Sequence, residues 1–206
     1  MPTSNAHDSI NAVYQFWFGS LQPALPDKAR NKIWFGGDPQ IDAQINEQFA
    51  HEVEAALRGE LVAWAESPQG RLALILRLDQ FTRNIYRGQP QAFSGDGASV
   101  ALCREGLAVG HQAALNVVEL SFFLLPLEHS EDLADQERCV HLFHRLLEDT
   151  DESHRAYVSN ALRYAEDHRD IIKQFGRFPH RNRALGRQNT PEEQAYLDGQ
   201  GRRFGQ

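Results

Sequence analysis

Apolar residues recur along the chain at spacings of three and four, the period of an amphipathic helix. Ile41, Ile45, Phe49, Val53 and Leu57 make one such stripe, opened by Asp38-Pro39 as N-cap and first-turn proline and closed by Gly59. From 71 to 85 the apolar positions run almost all around a helix (Leu72, Leu74, Ile75, Leu76, Leu78, Phe81), which predicts a central, buried element. A glycine-rich turn at 94–97 leads into a helix carrying Val100, Leu102, Cys103 and Leu107 that stops at Gly110. Periodicity cannot tell strand from helix in LNVVELSFFLLPL; with no partner strand evident, helix is the expectation. Leu133, Gln136, Val140, Phe143 and Leu147 then share a face, with Gln136 its one polar member. Val158, Ala161, Ala165, His168, Ile172 and Phe175 form the next stripe, which Gly176 is suited to end. Thr190-Pro191-Glu192-Glu193 supplies a cap, a first-turn proline and a capping-box glutamate for a last short helix.

Glycine and proline serve throughout as helix punctuation, and neither a linker nor a repeat of about 34 residues is visible. The pattern predicts one all-α domain of stacked helices over residues 1–206, with 1–9 disordered and 200–206 frayed. The 206 residues are 41% hydrophobic, enough for one sizeable core. The polar N-terminal stretch is unlike a secretory signal, and no segment approaches the roughly 20 apolar residues of a membrane span. A cytoplasmic protein without membrane contact is therefore expected. Cys103 and Cys139 sit inside apolar helical patterns and read as small core residues. The net charge of −7 argues against nucleic-acid binding. That charge is uneven, however, with acids crowded at 128–137 and 148–152 and arginines at 177, 181, 183 and 187.

Three clusters carry the candidate chemistry. In LDQFTRNIYRG, Asp79 follows Ile75 and Leu76 by four and three residues, so it continues an apolar face, and Arg83 lies one turn later. A charge pair pointed inward needs a polar network or a wet cavity to offset desolvation; Gln80 and Asn84 repeat the spacing one position round. In LEHSEDLADQ, Ser130 suits an N-cap, with Glu131 and Asp132 in the first turn. Capping leaves His129 unexplained. With Glu131 it offers an acid–base pair or two metal ligands, but a third ligand has to come from elsewhere, so no metal is assigned. FGRFPHRNRALGRQNTP is a basic loop framed by Gly176, Pro179 and Gly186, whose planar guanidiniums suit a carboxylate or phosphate. Internal pairing of Arg177 or Arg181 with Asp79, Glu131 or a helix end is the competing use. His168 joins by periodicity, as a buried core histidine or a cavity wall, with Tyr164 one turn earlier as a partner.

The strings FWFG, LDQFTRNIYRG, LPLEHSEDLADQ and FGRFPHRNRALGRQNTPEE, in this order, resemble the bacterial family named domain of unknown function 924. The resemblance runs from Tyr14 to Leu197, with no departure in the three clusters. It implies an all-helical, tetratricopeptide-like stack of antiparallel helices in a right-handed arrangement, and it implies no activity, substrate or cofactor.

Three functions compete. In the first, Gln80, Arg83, Asn84, Arg177, Arg181 and Asn182 hold an anionic small molecule, and Asp79, His129, Glu131, His168 and His180 handle protons. No nucleophile elbow, P-loop, dinucleotide fingerprint or HExxH motif names a reaction, and no cofactor is indicated. In the second, the stack offers a groove to a peptide or protein, with aromatics such as Trp17, Phe18, Trp34, Phe35 and Trp64 as available anchors, although helix-packing core is the expected use of most of them. In the third, the clusters are a buried network that only fixes helix order.

Overall fold

The computed structural model describes residues 4–19, 25, 28–199 and 201, and among these no strand occurs. The helices are α1 (Ser4–Phe18), α2 (Lys28–Phe35), α3 (Pro39–Leu57), α4 (Pro68–Ile75), α5 (Thr82–Ile85), α6 (Asp96–Ala108), α7 (Val117–His129), α8 (Leu133–Asp149), α9 (Glu152–Phe175) and α10 (Pro191–Asp198). Residues 4–9, expected to be disordered, form the first turns of α1. The Ser9 carbonyl there accepts from the buried Arg77 guanidinium, a contact that ties this end to the core. Of the segment expected to fray, all but Gly201 lies outside the described residues.

Ion pairs and hydrogen bonds fix the packing direction. Glu137 meets Lys173 at 2.7 Å and His144 meets Glu166 at 3.7 Å, so α8 and α9 run antiparallel. Along α3, Asp42 accepts from Asn84 at 2.8 Å while Glu52 pairs with Arg77, which makes α3 antiparallel to the segment that follows α4. The ambiguous apolar run is helical: Asn116 caps α7 through a reciprocal capping box with Glu119.

The core is aromatic. Trp34 and Phe122 lie 4.7 Å apart, Phe49 and Phe81 5.0 Å, and Trp17 and Phe81 5.4 Å. Trp17, Phe18, Trp34 and Trp64 are therefore packing residues; of the aromatics put forward as interaction anchors, only Phe35 is exposed, at 66%. Cys103 and Cys139 are buried free thiols, as their pattern predicted. None of the described helices is long and apolar enough to cross a membrane.

Two local features shape the functional region. The helix begun by α4 widens into a π-helical turn over Leu76–Phe81 before α5 resumes, a distortion that often accompanies functional sites. Side chains satisfy the carbonyls there: Thr82 Oγ1 donates to Leu78 at 2.8 Å and Arg83 Nη1 to Asp79 at 2.6 Å. Gly95 packs so close that a Cβ would lie 2.2 Å from the Leu78 carbonyl oxygen. Only glycine permits that approach, and it brings Asp96, at the start of α6, to Arg83.

Candidate functional site

The three clusters converge. Asp79, on the π-helical turn, is fully buried, and its Oδ1 lies 2.7 Å from His129 Nδ1 at the C-terminal end of α7. Gln80 Nε2 donates to Asp79 Oδ2 at 2.5 Å, and Arg83 Nη1 reaches Oδ1 at 3.1 Å. Burial alone would raise the Asp79 carboxyl, but Arg83, His129 and Gln80 more than reverse this and hold it below the usual carboxylate range. Asp79 is thus an anion. His129 must then donate from Nδ1, and its lone pair sits on Nε2.

His168, on the buried face of α9, stands beside this pair, with ring centroids 6.0 Å apart. Its Nδ1 lies 2.8 Å from the Tyr164 carbonyl and 3.1 Å from Glu128 Oε1. The partner expected from Tyr164 is thus its backbone; the phenol is exposed. A carbonyl only accepts, so His168 also carries its proton on Nδ1. Burial, then neighbouring Asp79 and Asp167, pushes the Glu128 carboxyl up to about 8. Burial, reinforced by His129 and Arg181, holds His168 well below its ordinary value.

Arg181 closes the centre from the basic loop, which folds into a 3-10 turn over Pro179–Arg181. Its guanidinium stacks 4.4 Å from the Phe178 ring and 4.9 Å from Phe93, and Nη1 donates to Asp96 at 3.2 Å. Arg83 shares the same carboxylate, its Nη1 2.9 Å from Oδ1. Burial and the facing Arg83 lower the Arg181 guanidinium to about 10, still a cation at neutral pH. Burial, then Arg181 and His129, lowers His180 to about 3.

The remaining predicted residues sit outside this centre. Asn84 and Arg87 both grip Asp42. Arg177 is bidentate with Glu193 at 2.6 and 2.7 Å, and Asn182 donates to the same carboxylate at 3.1 Å. Glu131 accepts from Arg187 at 2.7 Å and from the Phe178 amide at 2.8 Å, which clamps the arginine loop onto α7 and α8. Ser130 is not an N-cap: α8 starts two residues later, capped by Asp132, and Ser130 donates to Asp135 at 2.7 Å.

Two members of the centre escaped the sequence reading. Glu128 follows Leu124 by four residues and so continues a buried face, the same signal that marked Asp79. Asp96 carries no such mark, because an acid in a helix's first turn is ordinary and its approach depends on Gly95. Gln136, the odd polar member of its stripe, is fully buried and donates to the Glu128 and Ser130 carbonyls at 2.6 and 2.7 Å. It thereby pins the end of α7 that carries Glu128 and His129.

Residues 13–201 match the signature of a bacterial protein family of unknown function, DUF924. The chain belongs to the DUF924 family. The match spans all the residues of the centre. A solved structure of a protein of unknown function from Agrobacterium tumefaciens is similar to this DUF924 chain at 36% identity and a TM-score of 0.79, covering 94% of this chain and 98% of the other. No curated protein matches the sequence. The family and the neighbour thus fix the fold and name no activity.

Proposed function

We propose that this protein binds a small carboxylate- or phosphate-bearing molecule at the buried arginine–histidine centre, with the His129 imidazole beside it to accept a proton. The observation that carries this reading is Arg181. Its guanidinium is buried, and its Nε–H has no hydrogen-bond partner. A buried donor left unsatisfied costs about 1–3 kcal/mol, which an anionic oxygen would recover. Arg181 has a single carboxylate partner, Asp96, which it shares with Arg83, so its own charge is only partly matched. His129, fixed by Asp79 with its lone pair on Nε2, is oriented as a general base is. The unpaired thiols of Cys103 and Cys139 accord with a reducing, cytoplasmic setting.

The structural reading accounts for a different set of residues. Arg177, Glu131, Asn182 and Asn84 are committed to internal partners and hold the loop and helices in place. The anion is thereby assigned to Arg83 and Arg181 rather than to the whole basic loop. The groove reading has less support, because most of the aromatics it would use lie in the core.

Calorimetric titration with inorganic phosphate and with phosphorylated and dicarboxylic metabolites tests this. Binding is expected for the wild type and for Arg177→Ala, whose guanidinium belongs to Glu193, and is expected to disappear in Arg181→Ala. Equal binding by Arg181→Ala, or no binding by a folded wild type across both classes, would sink the reading.

A further inference from the structure

We infer that Glu128, His129 and His168 form a binding site for a divalent transition-metal ion of the class that accepts imidazole and carboxylate together, zinc foremost. One donor atom from each of the three lies within 4.8 Å of the others. They come from two packed helices: Glu128 and His129 end α7, and His168 faces them from α9.

Proximity alone would not carry the point; what does is how the histidines are held. The Nδ1–H of His129 is engaged by the Asp79 carboxylate, and the Nδ1–H of His168 by the Tyr164 carbonyl, with Glu128 Oε1 3.1 Å from the same nitrogen and its second oxygen left to turn toward an ion. Both rings are therefore fixed in the tautomer that places the lone pair on Nε2. A carboxylate or carbonyl on the far ring nitrogen is the arrangement that orients metal-ligating histidines and raises their donor strength. Here the support extends one layer further. Gln80 and Arg83 fix Asp79, while Gln136 fixes the Glu128 carbonyl.

Three protein ligands leave a fourth position for water or a bound anion, as in catalytic zinc sites. Arg181 and Arg83 both lie near enough to act electrostatically on His129. Coordination uses the His129 lone pair that otherwise acts as a base, and a metal-bound water would take over that part. The metal site stands on its own geometry, whether or not the anion reading holds.

The test uses the full chain, stripped with a chelator and placed in buffer free of phosphate and carboxylates. Co²⁺ alone is the probe, read by its visible d–d absorption, and Zn²⁺ is titrated by calorimetry. One ion per chain is expected. Glu128→Gln keeps the shape of the side chain as a neutral amide and is expected to stay folded yet lose the site; His129→Ala and His168→Ala are expected to lose it too. Asp79→Asn, which alters only the support, is expected to weaken binding roughly 10–100-fold. No Co²⁺ spectrum with folded wild type, or a spectrum unchanged in Glu128→Gln and His168→Ala, overturns the proposal. Arg181→Ala separates the two readings: it is expected to keep the metal while losing the anion.

Discussion

Asp79 and His129, fifty residues apart in sequence, meet at 2.7 Å inside the protein, and each determines the state of the other. The buried carboxylate sets the tautomer of the ring, and the ring's N–H helps keep the carboxylate ionised. Arg83 and Gln80 complete the anion's partners, so Asp79 is the pivot of the polar centre. Asp79→Asn retains the shape but removes the charge, leaving the buried Arg83 with Asp96 as its remaining ion-pair partner. Losing one member of a buried pair costs about 3–5 kcal/mol. Urea unfolding should show that loss as a lower midpoint with an unchanged slope; a variant as stable as wild type would mean the pair contributes nothing.

Arg181→Lys keeps a positive charge and discards the planar group. The ammonium cannot stack between Phe178 and Phe93 or present the Nε–H. Planar stacking on two rings and the Nη1 bond to Asp96 are lost with the guanidinium, so a measurable drop in melting temperature is expected together with about a tenfold loss of anion affinity. A lysine variant that binds as tightly as wild type would show that only charge matters.

Much of the fold could be read from the sequence because helix stripes and caps are local. Asp38-Pro39, Thr190-Pro191 and Gly176 act where they were expected to. The inward turn of Asp79 was equally legible, since it follows from spacing against Ile75 and Leu76. What spacing could not supply was partner choice across the fold. Arg177 has the same chemistry as Arg181, and Asn182 and Glu131 are as polar as the residues of the centre, but Glu193, Arg187 and the Phe178 amide claim them, and these contacts exist only once α10 and the arginine loop have docked. The π-helical turn was also hidden, because its residues have the helical periodicity of their neighbours. The displacement of the α8 cap from Ser130 to Asp132 likewise depends on Asp135, buried in the tertiary fold, drawing the Ser130 hydroxyl toward it.

Gln136 gives a prediction that separates positioning from packing. Gln136→Leu fills the same space with apolar atoms but strips the Glu128 and Ser130 carbonyls of their side-chain donor. An orphaned buried acceptor costs about 1–3 kcal/mol. The variant should therefore be destabilised despite its gain in hydrophobicity, and should also bind Co²⁺ more weakly because the end of α7 is no longer pinned. Full stability in the leucine variant would make Gln136 a passive occupant of the stripe.

The Arg177–Glu193 pair sets an acid limit on the docking of α10. The bidentate guanidinium, seconded by the Thr190 amide and by Asn182, holds the Glu193 carboxyl near 2 against its ordinary value of 4.5. A carboxyl lowered on folding stabilises the folded state fully above its unfolded pKa, and that contribution fades as pH falls through the folded one. The contribution should therefore be complete at neutral pH and decline from about 4.5 toward 2. Glu193→Gln removes it at every pH, since the amide neither titrates nor pairs with Arg177. Stability of wild type minus variant, measured by urea midpoint across this range, is expected to be largest at neutral pH and to shrink as the solution is acidified. A difference that stays constant with pH would show that Glu193 acts through its cap to Thr190 rather than through its charge.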